Sequence, residues 1–278
     1  MTIHRSKRLI SASFWKSLFA ANSIAVIGAN NVAGSWGCDA FRTGLLSAKV
    51  DPTRKIFPVN PNEKEILGVR AFKTILEIPD SVELAVVVVR AEIVPAVLRQ
   101  CAEKKVKAAV IISAGFAEVD EAGAKLQSEL LETANAAGMH FVGPNCVGHA
   151  DIHTQVASAM VVQRVKPGSL ALITQSGTLG ASIVMTAAGH GIGMSKFISS
   201  GNEADLRLED YLEYLAEDSD TRVIGLYIEG LREGRRFFEL AKKITRRKPI
   251  VAIKTGTTSG SSRAARSHTG ALAGADAV

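Results

Sequence analysis

"LAVVVVRAEIVPAVLRQCAEKKVKAAVIIS" (residues 84–113) places two short β-branched runs on either side of a segment with helical spacing. Apolar runs without polar alternation are typical of parallel strands that are buried on both faces. The same pattern recurs along the chain in SIAVIG (23–28), KIFPV (55–59), SLALIT (169–174), VIGLYIE (223–229) and PIVAIK (249–254). We therefore predict an α/β protein whose parallel sheets are covered by helices on both faces.

The alternation of strands and helices is interrupted once, which predicts two domains. Between GPNCVG (143–148) and VKPGS (165–169) the chain becomes polar and rich in turn residues, and a new strand then begins. Each half opens with a strand that leads into a glycine-containing turn and a helix, as in doubly wound units. We predict an N-terminal extension with a helix around FWKSLFA over residues 1–22, one doubly wound domain over 23–150 and a second over 151–278.

Composition excludes several classes of protein. The 33 basic and 27 acidic side chains give a net charge of +6 without a dense basic tract, so no nucleic-acid partner is expected. No apolar run approaches the ~20 residues that cross a bilayer, so no membrane segment is expected. Three widely spaced cysteines and scattered histidines form neither a disulfide framework nor a metal-ligand spacing. These features predict a cytoplasmic protein without a resident metal.

The first glycine turn offers a place for a phosphate. Gly28, Gly34, Ser35 and Gly37 connect a strand to a helix start, where backbone N–H groups and the helix dipole attract anions. Glycines at this spacing also serve tight packing of strand against helix in sheets that bind nothing.

The second strand argues against an NAD-dependent dehydrogenase. That reading requires an acidic residue at the tip of the strand to hold the ribose, whereas KIFPV ends in Asn60 and Pro61. Basic side chains nearby would suit a nucleotide with an additional phosphate, although surface lysines are usually only solvated. These are Lys49, Arg54, Lys55 and Lys64.

The second turn, TQSGTLG, places Ser176, Gly177 and Thr178 at another helix start. A serine-hydrolase elbow requires the pattern G-x-S-x-G, but Thr174 occupies the position of the first glycine. We favour a phosphate-binding turn over a nucleophilic serine. A simple helix cap without a ligand remains the alternative.

His268 follows the stretch TGTTSGSSRAARS (255–267), which offers little apolar material for a structural histidine to pack against. Imidazole can carry a phosphoryl group when one nitrogen is free and the other is held by an acceptor. Arg263 and Arg266 could neutralise phosphoryl oxygens, and Glu229 at a strand end could orient the ring.

Seven motifs now resemble a known family. SIAVIGANNVAGSWG, FPVNPNEKEILG, VIISAGFAEV, GPNCVG, TQSGTLG, YIEG and SHTGALAG are similar, in this order, to the α part of NDP-forming acyl-CoA synthetases such as ADP-forming acetate–CoA ligase. A more distant similarity is to succinyl-CoA synthetase α. The resemblance covers about residues 14–278. It implies a Rossmann-like CoA-binding domain followed by a flavodoxin-like ligase domain.

The resemblance also implies roles for individual residues. The coenzyme A site would include Gly28, Ala29, Asn30, Gly34, Ser35, Val59, Asn60, Pro61, Lys64, Ser113, Ala114, Gly115 and Phe116. Asn145 would lie at the thioester, and His268 would be the phosphorylated residue, oriented by Glu229. Phosphate would be bound by Ser176, Gly177, Thr178, Arg263 and Arg266.

The family reaction interconverts acyl-CoA, phosphate and ADP with a small carboxylic acid, CoA and ATP, through an acyl phosphate and a phosphohistidine. By resemblance, an ATP-grasp β subunit or domain would supply the ADP/ATP site and Mg²⁺, within an oligomer. The family continues past SHTGALAG, whereas this sequence ends at Val278, so we expect an α subunit or a fragment. The alternative is a CoA or acyl-CoA sensor module without catalysis. Retention of His268, Glu229 and TQSGTLG together favours the enzyme.

Overall fold

The computed structural model describes residues 10–159 and 165–256. Its first layer is a five-stranded, fully parallel sheet with the order β2-β1-β5-β6-β7. The strands are β1 (Ser23–Ile27), β2 (Lys55–Val59), β5 (Leu84–Val87), β6 (Ala108–Ile111) and β7 (His140–Val142). Between them lie α2 (Trp36–Val50), the hairpin of β3 (Glu65–Ile66) and β4 (Val69–Arg70), α3 (Val94–Glu103) and α4 (Glu121–Ala137). Short 3₁₀ helices span Ile75–Glu77 and Ala91–Ile93.

The second layer is another five-stranded sheet, with the order β12-β11-β9-β10-β8. Its strands are β8 (His149–Asp151), β9 (Pro167–Thr174), β10 (Met194–Ser199), β11 (Val223–Ile228) and β12 (Ile250–Lys254), and its helices are α5 (Gly177–Gly189), α6 (Leu208–Glu217) and α7 (Gly234–Ile244). β9 to β12 are parallel and β8 is antiparallel to β10. The prediction of an α/β fold with two doubly wound sheets is confirmed.

Two details differ from the sequence expectation. Residue 150, where the sequence divides the domains, lies within the edge strand β8 of the second sheet, and the division itself stays a prediction. The described residues leave one face of β12 uncovered, because Val251 and Ile253 are 61% and 53% exposed. Apolar runs therefore identify strands but not which faces are covered.

The extension before β1 is a packing element between the two sheets. It forms α1 (Ala12–Phe19), which begins at the capping residue Ser11 and buries Phe14, Leu18 and Phe19. The Phe14 ring lies edge-on to His140 of β7, and the Phe19 ring stacks on Tyr214 of α6 with centroids 5.0 Å apart. None of the described helices could cross a bilayer.

A buried histidine connects α1 to β8. His149 is fully buried, and its Nε2 lies 2.7 Å from the Leu18 carbonyl oxygen while Nδ1 lies 2.9 Å from Ser158 Oγ. Because a carbonyl only accepts, Nε2 carries the proton and Nδ1 accepts from the serine hydroxyl. Burial lowers the pKa of His149 from 6.5 to about 4.

We expect this histidine to make the fold sensitive to acid. The unfolded chain binds the proton near pH 6.5 and the folded chain only near pH 4, so stability is lost as the pH falls through this window. Between pH 7 and pH 4.5 the contribution of His149 to the free energy of unfolding should fall by about 2 kcal/mol. Urea unfolding at pH 7 and pH 4.5 measures it, and the pH slope should shrink in His149→Gln but not in the control His153→Gln. Equal slopes in wild type and His149→Gln would contradict the assignment.

A buried lysine, Lys196, also connects α1 to the second sheet. Lys196 of β10 is 1% exposed, and its Nζ lies 3.0 Å from a carboxylate oxygen of both Asp151 and Asp218. The same nitrogen lies over the rings of Phe19 and Tyr214, at 5.7 and 5.9 Å from their centroids. One cation therefore joins α1, β8, β10 and the end of α6.

We expect Lys196→Met to be strongly destabilising because it leaves buried carboxylates without a cation. The free energy of unfolding should fall by roughly 3 kcal/mol, as is typical when one partner of a buried pair is removed. The control is Lys55→Met, whose exposed pair with Asp80 should contribute less than ~1 kcal/mol. Urea unfolding of both variants measures the difference, and equal small losses would contradict this account.

Candidate functional site

The predicted site residues of the first domain meet at one edge of its sheet, where all five parallel strands end. The Gly28 amide donates to the Val59 carbonyl at 2.9 Å, and Asn60 Nδ2 donates to the Ala29 carbonyl at 2.8 Å. The Asn145 amide donates to the Ser113 carbonyl at 2.9 Å. Loops after β1, β2, β6 and β7 therefore form one continuous polar rim, as the fold of open parallel sheets predicts.

The glycine turn is as tight as its composition suggests. Gly28 has φ +94°, and a Cβ there would lie 2.1 Å from the Val88 carbonyl oxygen. A Cβ on Gly37 would lie 2.1 Å from the Gly28 carbonyl oxygen. Close packing thus requires both glycines, while Gly34, at φ +80°, faces open space.

Asn30 and Ser35 organise the turn that precedes α2. Asn30 Oδ1 accepts from the Val32 amide at 2.9 Å and from Ser35 Oγ at 2.7 Å. Ser35 Oγ in turn accepts from the Cys38 amide at 3.2 Å and caps the helix. These bonds hold the start of α2, with its positive dipole end, at the rim formed by the strand ends.

The hairpin that carries Lys64 is tied to the same turn. Asn31 Nδ2 donates to the Glu65 carbonyl at 3.0 Å, and Asn31 Oδ1 accepts from the Leu67 amide at 3.0 Å. Lys64 is exposed beside this contact. A phosphate that binds at the glycine turn would therefore have an exposed lysine on the neighbouring hairpin.

The other three basic residues of the sequence hypothesis do not lie at this turn. Arg54 is buried and donates to the carbonyl oxygens of Ala21 at 2.9 Å and Thr154 at 3.1 Å. Lys55 pairs with Asp80, and Lys49 lies in the last turn of α2. Of the four basic residues, only Lys64 lies beside this turn, because charge alone does not show which side chains fold inward.

In the loop after β6, Phe116 lies in the hydrophobic core. Ser113 Oγ accepts from the Val89 amide at 3.2 Å, and Ala114 is exposed at the rim. Phe116 is fully buried, so its ring is not presented at this edge. The Gly115 and Phe116 amides both donate to Glu118 Oε1, at 2.6 and 3.1 Å.

The segment GPNCVG (143–148) joins this rim to the second sheet. A Cβ on Gly201 would lie 2.2 Å from the Pro144 carbonyl oxygen, and one on Gly177 would lie 2.4 Å from Val147 Cγ1. Asn145, with φ +58°, donates from Nδ2 to Asn202 Oδ1 at 3.2 Å. The candidate thioester residue therefore lies between the two sheets.

Cys146 in the same segment is a structural thiol. Burial raises its pKa to about 12, and its Sγ lies 3.4 Å from the Ile111 carbonyl oxygen. A thiol with such a pKa is protonated at neutral pH and is a poor nucleophile. The interpretation of Cys146 as a packing residue is thereby supported.

The second turn begins α5. Ser176 caps the helix by accepting from the Leu179 amide at 3.4 Å, followed by Gly177 and the exposed Thr178. Thr174 is buried, and its Oγ1 donates to the Ser176 carbonyl at 2.7 Å. The helix cap is confirmed, and the binding of phosphate at this turn stays a prediction.

Glu229 follows β11 directly beside this turn. It is 8% exposed, and the amides of Glu229 and Gly230 donate to Gln175 Oε1 at 2.6 and 2.9 Å. Lys254 Nζ, at the end of β12, donates to the Glu229 carbonyl at 3.2 Å. The structure thus brings together Glu229 and the TQSGTLG turn, whereas Arg263, Arg266 and His268 lie outside the described residues.

Residues that the sequence did not single out complete this region. Asn202 and Glu203 lie in SSGNEAD (199–205), which follows β10 at the same edge of the second sheet. Asn202 Nδ2 donates to Glu118, whose pKa burial alone would raise but whose hydrogen bonds keep below its usual value. A Gly-Asn pair directly after a strand was the available signal. Among residues 10–159 and 165–256, no cluster of three or more metal-ligating side chains occurs.

Two protein-family models match the chain, one in each half. Residues 22–151 match a CoA binding domain, and residues 167–278 match the succinyl-CoA ligase like flavodoxin domain. The first match covers all strands of the first sheet and the edge strand β8 of the second, and the second match covers β9 to β12.

Two relatives are similar to almost the whole chain. The α subunit of acetate–CoA ligase (ADP-forming) II from Pyrococcus furiosus is 46% identical over 256 residues, which are 92% of this chain and 55% of the relative. The 4-hydroxybutyrate–CoA ligase (ADP-forming) of Nitrosopumilus maritimus is 37% identical over 265 residues, 94% of this chain and 37% of the relative.

A solved structure is similar as well. The dinucleotide-forming acetyl-coenzyme A synthetase 1 of Candidatus Korarchaeum cryptofilum, in complex with phosphate and ADP, superposes with a TM-score of 0.86 at 35% identity. The superposition covers 94% of this chain and 55% of that one. The chain therefore spans about half the length of these relatives, or less.

Proposed function

The chain belongs to the NDP-forming acyl-CoA synthetase family, and on that premise we propose that it is the CoA-binding and phosphoryl-accepting part of an acid–thiol ligase. The reaction interconverts acyl-CoA, phosphate and ADP with a carboxylic acid, CoA and ATP. It divides between the two sheets, with the thioester at the first and the phosphoryl group at the second.

Each step balances. Phosphate attacks the thioester carbonyl, the C–S bond breaks, and CoA leaves as the thiol with an acyl phosphate formed. The imidazole of His268 then attacks phosphorus, the carboxylate leaves, and a P–N bond holds the phosphoryl group. In the last step a terminal phosphate oxygen of ADP attacks phosphorus, the P–N bond breaks, and ATP forms with release of the free imidazole.

The main support for the proposal is that segment 143–148 contacts both candidate sites. Asn145 forms hydrogen bonds to Ser113, at the rim of the first sheet, and to Asn202, after β10 of the second sheet. Val147 packs against Gly177 at the start of α5. An acyl phosphate formed near Asn145 would therefore arise next to the turn proposed to hold phosphate. Such proximity replaces a diffusive encounter by a transfer between neighbouring sites.

The first rim suits coenzyme A by the chemistry of its donors. The start of α2 and the Gly28 turn offer backbone N–H groups and a positive dipole end to phosphates, and exposed Lys64 adds a charge. Asn60 and Asn145 supply amide groups for the polar parts of the ligand. The thioester carbonyl carbon, which phosphate attacks, would lie at this rim.

On the second sheet, Ser176, Gly177 and Thr178 would bind the phosphoryl oxygens, and Glu229 would orient the His268 ring. Arg263 and Arg266 would neutralise the charge of the transferred group. An ATP-grasp subunit or domain would supply the nucleotide site with Mg²⁺. The solved relative in complex with phosphate and ADP supports phosphate and a nucleotide as reactants.

The test is the complete reaction with a series of acyl-CoA thioesters of increasing chain length. The chain is combined with an ATP-grasp partner, phosphate, ADP and Mg²⁺, and ATP and free thiol are measured together. We expect equal amounts of both, and neither product when phosphate is omitted. If CoA binds by calorimetry but no thioester is turned over, the chain is a sensor module and the proposal is wrong.

A further inference from the structure

The side chain of Gln175 links the phosphate-binding turn to Glu229 through every polar group it has. Its Oε1 accepts from the amides of Glu229 and Gly230, at 2.6 and 2.9 Å. Its Nε2 donates to the Gly230 carbonyl at 2.8 Å and to Glu203 Oε1 at 3.0 Å. An amide has two donor hydrogens and one acceptor oxygen, so these four contacts use it fully.

The backbone of Gln175 fixes this link in the sheet. Its amide donates to the Tyr227 carbonyl at 3.2 Å, and the next residue, Ser176, caps α5. The end of β11 therefore cannot shift relative to the start of α5 without breaking bonds at Gln175. The Gln175 side chain therefore holds Glu229, which follows β11, at a fixed distance from the turn that begins α5.

Glu203 fixes the orientation of the amide. It is 4% exposed, has φ +51°, and its Oε1 also accepts from Ser200 Oγ at 2.8 Å. Because a carboxylate oxygen accepts from Nε2, the opposite end of the Gln175 amide must turn its oxygen towards Glu229 and Gly230. A flipped amide would place an oxygen against Glu203 and a donor against two donors.

We propose that Gln175 is a positioning residue for phosphoryl transfer: with Glu203 as its anchor, it holds Glu229 in register with the phosphate-binding turn. The inference rests on the proposed function, in which Glu229 orients His268. Gln175 itself touches neither the imidazole nor the phosphoryl group in this account. Its effect on the rate passes through Glu229.

A double-mutant cycle tests this route. The rate constant for phosphorylation of His268 by acyl-CoA and phosphate is measured in single turnover for wild type, Gln175→Ala, Glu229→Gln and the double variant. We expect Gln175→Ala to lower the rate about 10- to 100-fold in wild type but less than about 3-fold when Glu229 is already replaced. The affinity for acyl-CoA, which binds the first sheet, should stay unchanged.

The outcomes separate the inference from the proposed function. Equal losses in both backgrounds would show a merely structural role and overturn the inference, as would a rate for Gln175→Ala equal to that of the control Gln100→Ala. Absence of phosphorylation in wild type would instead overturn the proposed function.

A swapped pair keeps the test informative if Gln175→Ala does not fold. Gln175→Glu retains the acceptor for the two amides but sets a carboxylate against Glu203, so the rate should fall. Adding Glu203→Gln restores a donor–acceptor pair with reversed direction, and we expect it to recover at least about 3-fold of the lost rate. An equal loss in the single and swapped variants would contradict the inference.

Discussion

His268→Ala is expected to lower ATP formation from acyl-CoA, phosphate and ADP by at least ~10³-fold, because no other group would carry the phosphoryl intermediate. The affinity for CoA should remain within about twofold of wild type, since the proposed CoA site lies on the first sheet. Formation of acyl phosphate from acyl-CoA and phosphate, trapped with hydroxylamine, should also persist, because this step precedes transfer to histidine.

The matched control is His190→Ala, which removes an exposed imidazole at the end of α5 and should leave ATP formation unchanged. ATP formation that persists in His268→Ala would contradict the assignment of the phosphorylated residue. Loss of acyl phosphate formation in the same variant would mean that the histidine acts earlier than proposed.

Gly28→Ala is expected to weaken CoA binding by at least ~100-fold. The added Cβ would lie 2.1 Å from the Val88 carbonyl oxygen, at a φ of +94° that side chains rarely adopt. The turn must therefore shift, and the backbone N–H groups proposed to bind the CoA phosphates lose their geometry. Calorimetric titration with CoA measures the affinity, and circular dichroism checks that the variant is folded.

Gly68→Ala separates the clash from the strain. Gly68 has a similar φ of +81° in the turn between β3 and β4, but a Cβ there meets nothing within 4 Å. This variant should lose about 1 kcal/mol of stability and little CoA affinity. Equal affinities of the two variants for CoA would show that the Gly28 turn does not form the phosphate site.

The strands could be predicted because their apolar runs are continuous. In residues 84–113, the two runs became β5 and β6, and the segment between them became α3. The sequence prediction did not include β10, where Ser195 and Lys196 interrupt the apolar run. It also lacked β7 and the edge strand β8, because three residues carry no periodic signal. The packing of α1 between the sheets was also missed, since amphipathic spacing shows that a face is buried but not against what.

The site was predictable where motifs mark strand ends and unpredictable where contacts are distant in sequence. Gly28, Asn60 and Asn145 meet at one rim because parallel strands end there. By contrast, Glu203 contacts Gln175 across 28 positions, and Arg54 reaches Thr154 across 100. Such pairings depend on how helices pack over the sheets, which local sequence does not record.

The most direct test of the central claim, that inorganic phosphate activated by a thioester as an acyl phosphate passes its phosphoryl group to His268, is labelling of the wild-type chain without nucleotide. The chain is incubated with acyl-CoA and radioactive phosphate, and the modified peptide is identified by mass spectrometry. The account predicts a label that is labile in acid and stable in base, close to one per chain, on His268. An unlabelled chain that still binds CoA, or a label on any other residue, would contradict it.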